Sequence, residues 1–303
     1  MKHLFFLLLL SVSFCVLNAQ STKTTNSFHQ TQATDVVLKE QYIQLSTGVK
    51  LEYAEHGNEA GTPVIFLHGI SDSWHSFEKV LPLLPASIHA FSVTHRGHGN
   101  SSKPATGYHP KDFAADIAAF IQEKKLGSAI VVGHSMSGVI VQQFALDHPQ
   151  LLKGLVIVAS DPVIRNNPGM PEFISEVEKM EGAVERSFMV DFQNATLSKP
   201  IDSAYFNLLV DESMKMPLAA FKEAFKGLIE TEYVADLKKI KAPVLILWGD
   251  ADAFFKADGQ ELLKKNISHA KYIRYKGTGH AIHWEEPVRF TADITSFVNS
   301  IRK

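Results

Sequence analysis

Ser135 lies in the run Gly133-His134-Ser135-Met136-Ser137-Gly138, directly after the apolar stretch Ala129-Ile130-Val131-Val132 and just before Ile140, Val141 and Phe144 at helical spacing. A serine between a buried strand and a helix sits on a sharp turn that leaves its hydroxyl outward, and such a turn needs small neighbours. Gly133 meets that need on one side; Ser137, on the other, fits less comfortably than a glycine would. A serine hydroxyl becomes a useful nucleophile when an adjacent base takes its proton. His280, in Gly277-Thr278-Gly279-His280, brings the side-chain type whose ordinary pKa lies near neutrality. A carboxylate is needed as a third partner, to hold the imidazole tautomer and to stabilise the imidazolium. Asp250 and Asp252 both follow an apolar run, in Trp248-Gly249-Asp250-Ala251-Asp252. Asp252 and His280 are 28 positions apart, enough for one helix and one strand, which lets both reach the same sheet edge. Nucleophile, base and acid in this combination perform acyl transfer. The backbone N–H of Met136, after the serine, and that of Ile70, in Leu67-His68-Gly69-Ile70 at the end of another apolar run, would receive the developing oxyanion.

These residues must be positioned by alternating strands and helices. Val64-Ile65-Phe66-Leu67, Ala129-Ile130-Val131-Val132, Leu155-Val156-Ile157-Val158 and Val244-Leu245-Ile246-Leu247-Trp248 are continuous apolar runs, the pattern of strands buried on both faces. A shorter strand is expected at Tyr272-Ile273-Arg274-Tyr275, and a hairpin around Thr47-Gly48. Phe113, Ile117, Phe120 and Ile121 after Pro110, and Phe290, Ile294, Phe297 and Ile301 after Pro287, recur at helical spacing. Alternation of this kind predicts an α/β fold, with a mostly parallel sheet and helices on both faces. From 162 to about 231 the alternation stops. Phe173, Ile174, Val177 and Met180, then Phe221, Phe225 and Leu228, give helical patterns with no buried strand between them. The expected organisation is a core in two parts, 39–161 and 236–303, with a helical cap at 162–235 over the strand ends where ligands bind.

Composition narrows the function classes. The chain has 303 residues, 45% apolar and 20% charged, values of an ordinary globular protein. A net charge of −2 offers no electrostatic footprint for nucleic acid or an anionic membrane. The single cysteine, Cys15, excludes a disulfide framework and a cysteine-ligated metal site. Lys2 and His3 precede a short apolar run ending near Leu17, with Ala19 after it. The run is shorter than the roughly 20 residues a spanning helix needs, so 1–19 reads as a cleaved secretory signal. No stable membrane insertion is expected after cleavage. Residues 20–38 read as a flexible leader rich in Ser, Thr and Gln. The expected location is outside the cytoplasm, periplasmic or secreted. His68, His95, His98 and His134 read as loop histidines around a pocket, because no His-Glu-x-x-His helix or carboxylate at ligand spacing accompanies them.

Taken together, Ser135, an aspartate after Gly249 and His280, in that chain order, with His68-Gly69, Arg96-Gly97-His98-Gly99-Asn100-Ser101 and Glu285-Glu286-Pro287, resemble the serine hydrolases of the α/β-hydrolase fold that carry a cap. The resemblance runs from about 64 to 297. It implies Ser135 as nucleophile, His280 as base and, because the family's acid stands third after the glycine, Asp252 rather than Asp250 as the orienting acid; Asp161 is another location used by relatives. It implies no cofactor and no metal. The expected activity is hydrolysis of small to medium apolar carboxylic esters, small molecules. Lactone hydrolysis, perhydrolysis, carbon–carbon cleavage and a slow-turnover ligand receptor are the alternatives within the same fold. His68, Trp74, His134, Phe254 and Phe188 are expected around the substrate, with Phe192 and Met189 as further apolar candidates. Two positions depart from the family pattern: Ser137 replaces a glycine of the turn, and Thr94 stands where many relatives carry an aspartate that anchors the following loop. The sequence fixes no oligomeric state.

Overall fold

The apolar runs form the centre of an eight-stranded sheet. The computed structural model describes residues 38–301; the segment expected to be a signal and, Leu38 excepted, the expected leader lie outside them. The strands are β1 (Glu40–Gln44), β2 (Lys50–Gly57), β3 (Thr62–Leu67), β4 (Ile88–Val93), β5 (Ala129–His134), β6 (Leu152–Val158), β7 (Val244–Gly249) and β8 (Lys271–Tyr275). Their order in the sheet is β1-β2-β4-β3-β5-β6-β7-β8. β1 and β2 form the expected hairpin, β2 runs antiparallel to β4, and every later pairing is parallel.

Side-chain alternation divides the core between the two faces. Along β3, Ile65 and Leu67 pack with Phe113 and Ile117 of α1 (Pro110–Glu123) and Phe144 of α2 (Met136–Asp147). Val64 and Phe66 pack with Phe290, Ile294 and Phe297 of the C-terminal helix, which runs from Pro287 to Ile301. The mostly parallel sheet with helices on both faces is therefore the architecture.

β4 has no counterpart in the sequence reading. Its run Ile88-His89-Ala90-Phe91-Ser92-Val93 is buried throughout, yet His89 and Ser92 break the apolar pattern. Both polar groups find partners: His89 Nε2 lies 2.6 Å from Glu55 on β2, and Ser92 donates to the Trp74 carbonyl. Buried polar groups are tolerated when so paired.

Between β6 and β7 stand four helices: α3 (Met170–Lys179), α4 (Arg186–Ala195), α5 (Ser203–Ser213) and α6 (Leu218–Ile229). Three more complete the series, α7 (Ala257–Asn266), the short α8 (Ile282–Glu285) and α9 (Pro287–Ile301). Among the described residues no helix is long and apolar enough to cross a membrane.

The loop after β4 is held by two buried carboxylates. Asp116 of α1 accepts two hydrogen bonds from the Arg96 guanidinium, each 2.6 Å, and a third from Thr47 in the hairpin turn. Glu52 of β2, fully buried, accepts from the backbone and side chain of Asn100 at 2.9 and 2.8 Å. Thr94, where the resemblance led to an expected aspartate, accepts the Trp74 N–H. Glu52 thus brings a carboxylate to this loop from a neighbouring strand.

Removing one member of a buried ion pair leaves the other charge uncompensated. Asp116→Ala is expected to lower unfolding stability by about 3–5 kcal/mol, whereas Asp211→Ala, which breaks the exposed pair with Arg186, costs about 1 kcal/mol or less. Denaturant midpoints of the two variants check the contrast.

Candidate active site

Ser135 sits between β5 and α2 at φ 55°, ψ −115°. A residue with a side chain is held in such a conformation at a cost of about 1–3 kcal/mol, so its surroundings must over-determine it. Its N–H donates to the Val158 carbonyl on β6, and its carbonyl accepts from Ser160 Oγ and the Gly138 N–H. The crowding falls on two glycines. A Cβ on Gly133 would lie 2.2 Å from the Ser137 carbonyl oxygen, and one on Gly138 would lie 2.2 Å from Ser160 Cβ. Ser137 itself is accommodated and employed. Its hydroxyl donates to the His68 carbonyl and is 2.8 Å from His95 Nε2, which must therefore be the donor of that second bond. A serine in place of glycine thus ties the turn to the loops after β3 and β4.

Asp252 and Asp250 have different partners. Asp252 Oδ2 is 2.9 Å from His280 Nδ1, and its Oδ1 accepts the N–H groups of Phe254 and Phe255 at 2.8 and 3.0 Å. Both members of the pair are buried. Asp250 is engaged with the Gly277 N–H and the Arg274 guanidinium, which hold its carboxyl below the usual carboxylate range. Asp161 accepts the Val163 N–H and packs so closely against α7 that a Cβ on Gly259 would meet its carboxylate; burial pushes its pKa up to about 6.

Ser135 and His280 open onto a narrow cavity with Ile70 and Met136 in its wall. Ser135 and His280 are the only polar side chains among its described lining residues. The rest comes from two places: Phe254 and Phe255 after β7, and Ile164, Met170, Phe173, Phe192, Phe225 and Leu228 from the helical insertion. Of the five residues expected around a substrate, Phe254 lines this cavity. Phe188 lies one layer back, stacked on Phe173 and Phe192, and Met189 is fully buried in the core. His68 is fully buried; its Nδ1–H donates to the Gly69 carbonyl and its Nε2 accepts the His95 N–H. Trp74 stacks on His75 and packs against the opposite face of the sheet. His134 lies beneath the site, 4.5 Å from the His283 ring and 4.7 Å from that of His280. The lining residues Phe173, Phe225 and Leu228 were visible in the sequence only as apolar positions of helices, a pattern that does not separate core from pocket.

A sequence model of the alpha/beta hydrolase fold matches residues 62–287. The chain belongs to this family. Among curated α/β-hydrolase relatives, a lipase (Lipase 1) of Psychrobacter immobilis is 29% identical, over 91% of this chain and 89% of that protein. A non-heme chloroperoxidase of Streptomyces lividans is 26% identical, over 85% and 99%. Among solved structures, an esterase from Exiguobacterium antarcticum superposes with a TM-score of 0.77 at 24% identity, over 86% of this chain and 100% of that one.

The underside of this α/β-hydrolase site is rich in histidine. His68 is 5.0 Å from both His95 and His98, ring to ring. Burial pushes His68, His95, His134 and His283 well below the ordinary histidine pKa, and His98 down to about 4. All five are neutral donors or acceptors in the fold. Among the described residues no group of histidine and carboxylate side chains is arranged to hold a metal. Asp72, buried beside them, is pushed up to about 7 by the same loss of water.

The two effects have opposite signs. Below the ordinary histidine pKa of about 6.5 the unfolded chain takes up protons that the folded chain refuses, so each buried histidine makes acidification destabilising. Asp72 works the other way, because between about 4 and 7 the fold keeps a proton that the unfolded chain releases. Asp161, pushed up to about 6, acts in the same sense as Asp72, and the five histidines outweigh the two carboxyls. Denaturant midpoints are therefore expected to fall steeply from pH 6.5 to 5.5 and little from 8 to 6.5; equal midpoints at 6.5 and 5.5 would contradict neutral buried histidines.

Proposed function

We propose that this chain is an exported serine hydrolase that cleaves carboxylic esters of small to medium apolar substrates through an acyl-enzyme. The observation that carries the reading is the buried Asp252–His280 pair opening, with Ser135, onto an otherwise apolar cavity walled by Ile70 and Met136. Relatives that are themselves named a lipase and a chloroperoxidase support a hydrolase of this fold, and the apolar run near the N-terminus supports export.

In this mechanism Ser135 Oγ attacks the ester carbonyl while His280 Nε2 takes its proton. Asp252 accepts from His280 Nδ1, fixing the tautomer and stabilising the imidazolium. The Phe254 and Phe255 amides hold Asp252 in place. The developing oxyanion is received by the N–H groups of Ile70 and Met136, each worth about 3 kcal/mol in the transition state. His280 returns the proton to the departing alcohol, then activates the water that releases the acid. The step needs no cofactor. The cavity's two polar side chains are both used in the chemistry, so the substrate's own groups meet hydrocarbon and aromatic rings. That suits a neutral, apolar ester.

Initial rates of residues 20–303 on aryl esters of graded acyl length test this. Ser135→Ala is expected to lose on the order of 10⁶ in kcat and Asp252→Ala on the order of 10⁴, while Asp250→Ala stays within a few-fold of wild type. An active Asp252→Ala beside a dead Asp250→Ala overturns the choice of acid. Single turnover on every ester overturns the esterase reading in favour of a receptor.

A further inference from the structure

The C-terminal half of α4 touches the cavity and both loops that flank it. Phe192 turns its ring into the cavity. Gln193, the next residue, is buried and points the other way; its Nε2 donates to Asp72 Oδ1 and to Ser213 Oγ, each at 2.8 Å. Ser213 in turn donates to the Leu209 carbonyl, which fixes the direction of that bond and hence the amide's orientation. Asp72 belongs to the loop that carries Ile70. Its N–H donates to the Gly69 carbonyl at 3.3 Å, and its Oδ2 accepts from Ser76 at 3.4 Å. Three residues beyond Gln193, the Thr196 carbonyl accepts the N–H of Ala281, the residue after His280, at 3.1 Å. Thr196 Oγ1 closes back onto the Gln193 carbonyl. Ser198 continues the seam, bonding Glu285 and the Gly277 carbonyl.

One turn of helix thus holds the loop of Ile70 and the loop of His280. Between Ile70 and Asp72, Ser71 is at φ 67° and is fully buried. A strained non-glycine residue keeps its conformation only where neighbours over-determine it, and the Gln193–Asp72 bond is the tie nearest to it from the cap. A buried carboxylate is a costly way to fill space where an apolar side chain would pack as well. Its placement is explained by the directional bond it accepts.

We propose that Gln193 and Asp72 are positioning residues: the end of α4 is a clasp that fixes the Ile70 amide relative to His280. The catalytic part of this inference rests on the ester-hydrolase reading; the clasp itself does not.

Two measurements at pH 8 test it. Gln193→Leu keeps the side chain's bulk and loses the donor, and Gln193→Asn shortens it out of reach. Either is expected to lower kcat on a hexanoyl aryl ester about tenfold or more, since misplacement by about 1 Å can cost up to about 100-fold, while KM changes less than about threefold because Gln193 does not line the cavity. Asp72→Asn, which retains an acceptor for Gln193, is expected to keep kcat within about threefold, and the Asp72→Ala, Gln193→Leu double variant to be no worse than the poorer single one, as for residues acting through one contact. Amide exchange is expected to quicken at 70–73 and 279–281 in Gln193→Leu, with β5 and β6 unchanged. Unaltered exchange in those loops, additive losses in the double variant, or a lowered melting temperature with kcat intact overturns the clasp. Wild-type protein inactive on esters would overturn the hydrolase reading alone, because the exchange experiment still decides the clasp.

Discussion

A serine held at φ 55° between a strand and a helix is the constraint on which the rest of this molecule depends. Ordinary chain geometry disfavours it. The relief is distributed. β6 receives the Ser135 N–H, Ser160 returns a bond to its carbonyl, and Gly133 and Gly138 leave the space that the turn consumes. Ser137 adds a tie that glycine could not make, reaching the loops that end β3 and β4. The parallel order of the central strands is what brings those loops to the same edge as the turn.

The site has two chemically different sides. Above Ser135 and His280 the cavity is hydrocarbon and aromatic, supplied mostly by the helices inserted between β6 and β7. Below, histidines, serines and Asp72 fill a space closed to solvent, joined by hydrogen bonds between side chains and loop backbone. His68 shows why a neutral imidazole suits that space: it donates from Nδ1 to the Gly69 carbonyl and accepts the His95 N–H at Nε2, linking two loops without carrying charge. Low dielectric strengthens such links and penalises any member left unpaired.

How much of this could be read from the sequence depends on whether the signal was local. Continuous apolar runs marked β3, β5, β6 and β7, since a strand buried on both faces has no polar period to hide it. β4 was invisible because His89 and Ser92 are satisfied by residues of other segments. The insertion was legible as helices, but Phe173 and Phe225 face the cavity while Phe221 faces the core, and all three follow one periodicity. The family pattern favours Asp252 over Asp250, and the partners that distinguish the two are the Phe254 and Phe255 amides on one and Arg274 on the other. His68, His134 and Trp74, chosen for their proximity to the motifs in sequence, turn inward from the cavity. Gln193 and Asp72 are separated by 121 positions, and neither belongs to a motif.

The lining of the cavity also bears on what leaves it. Under the hydrolytic reading the substrate is neutral, but at neutral pH the acid formed from it carries a charge. No lysine or arginine stands among the lining residues to retain that anion, and the surrounding rings offer it no solvation. On that reading the acid product keeps the Ile70 and Met136 amides, but the wall holds the anion less well than the ester it came from.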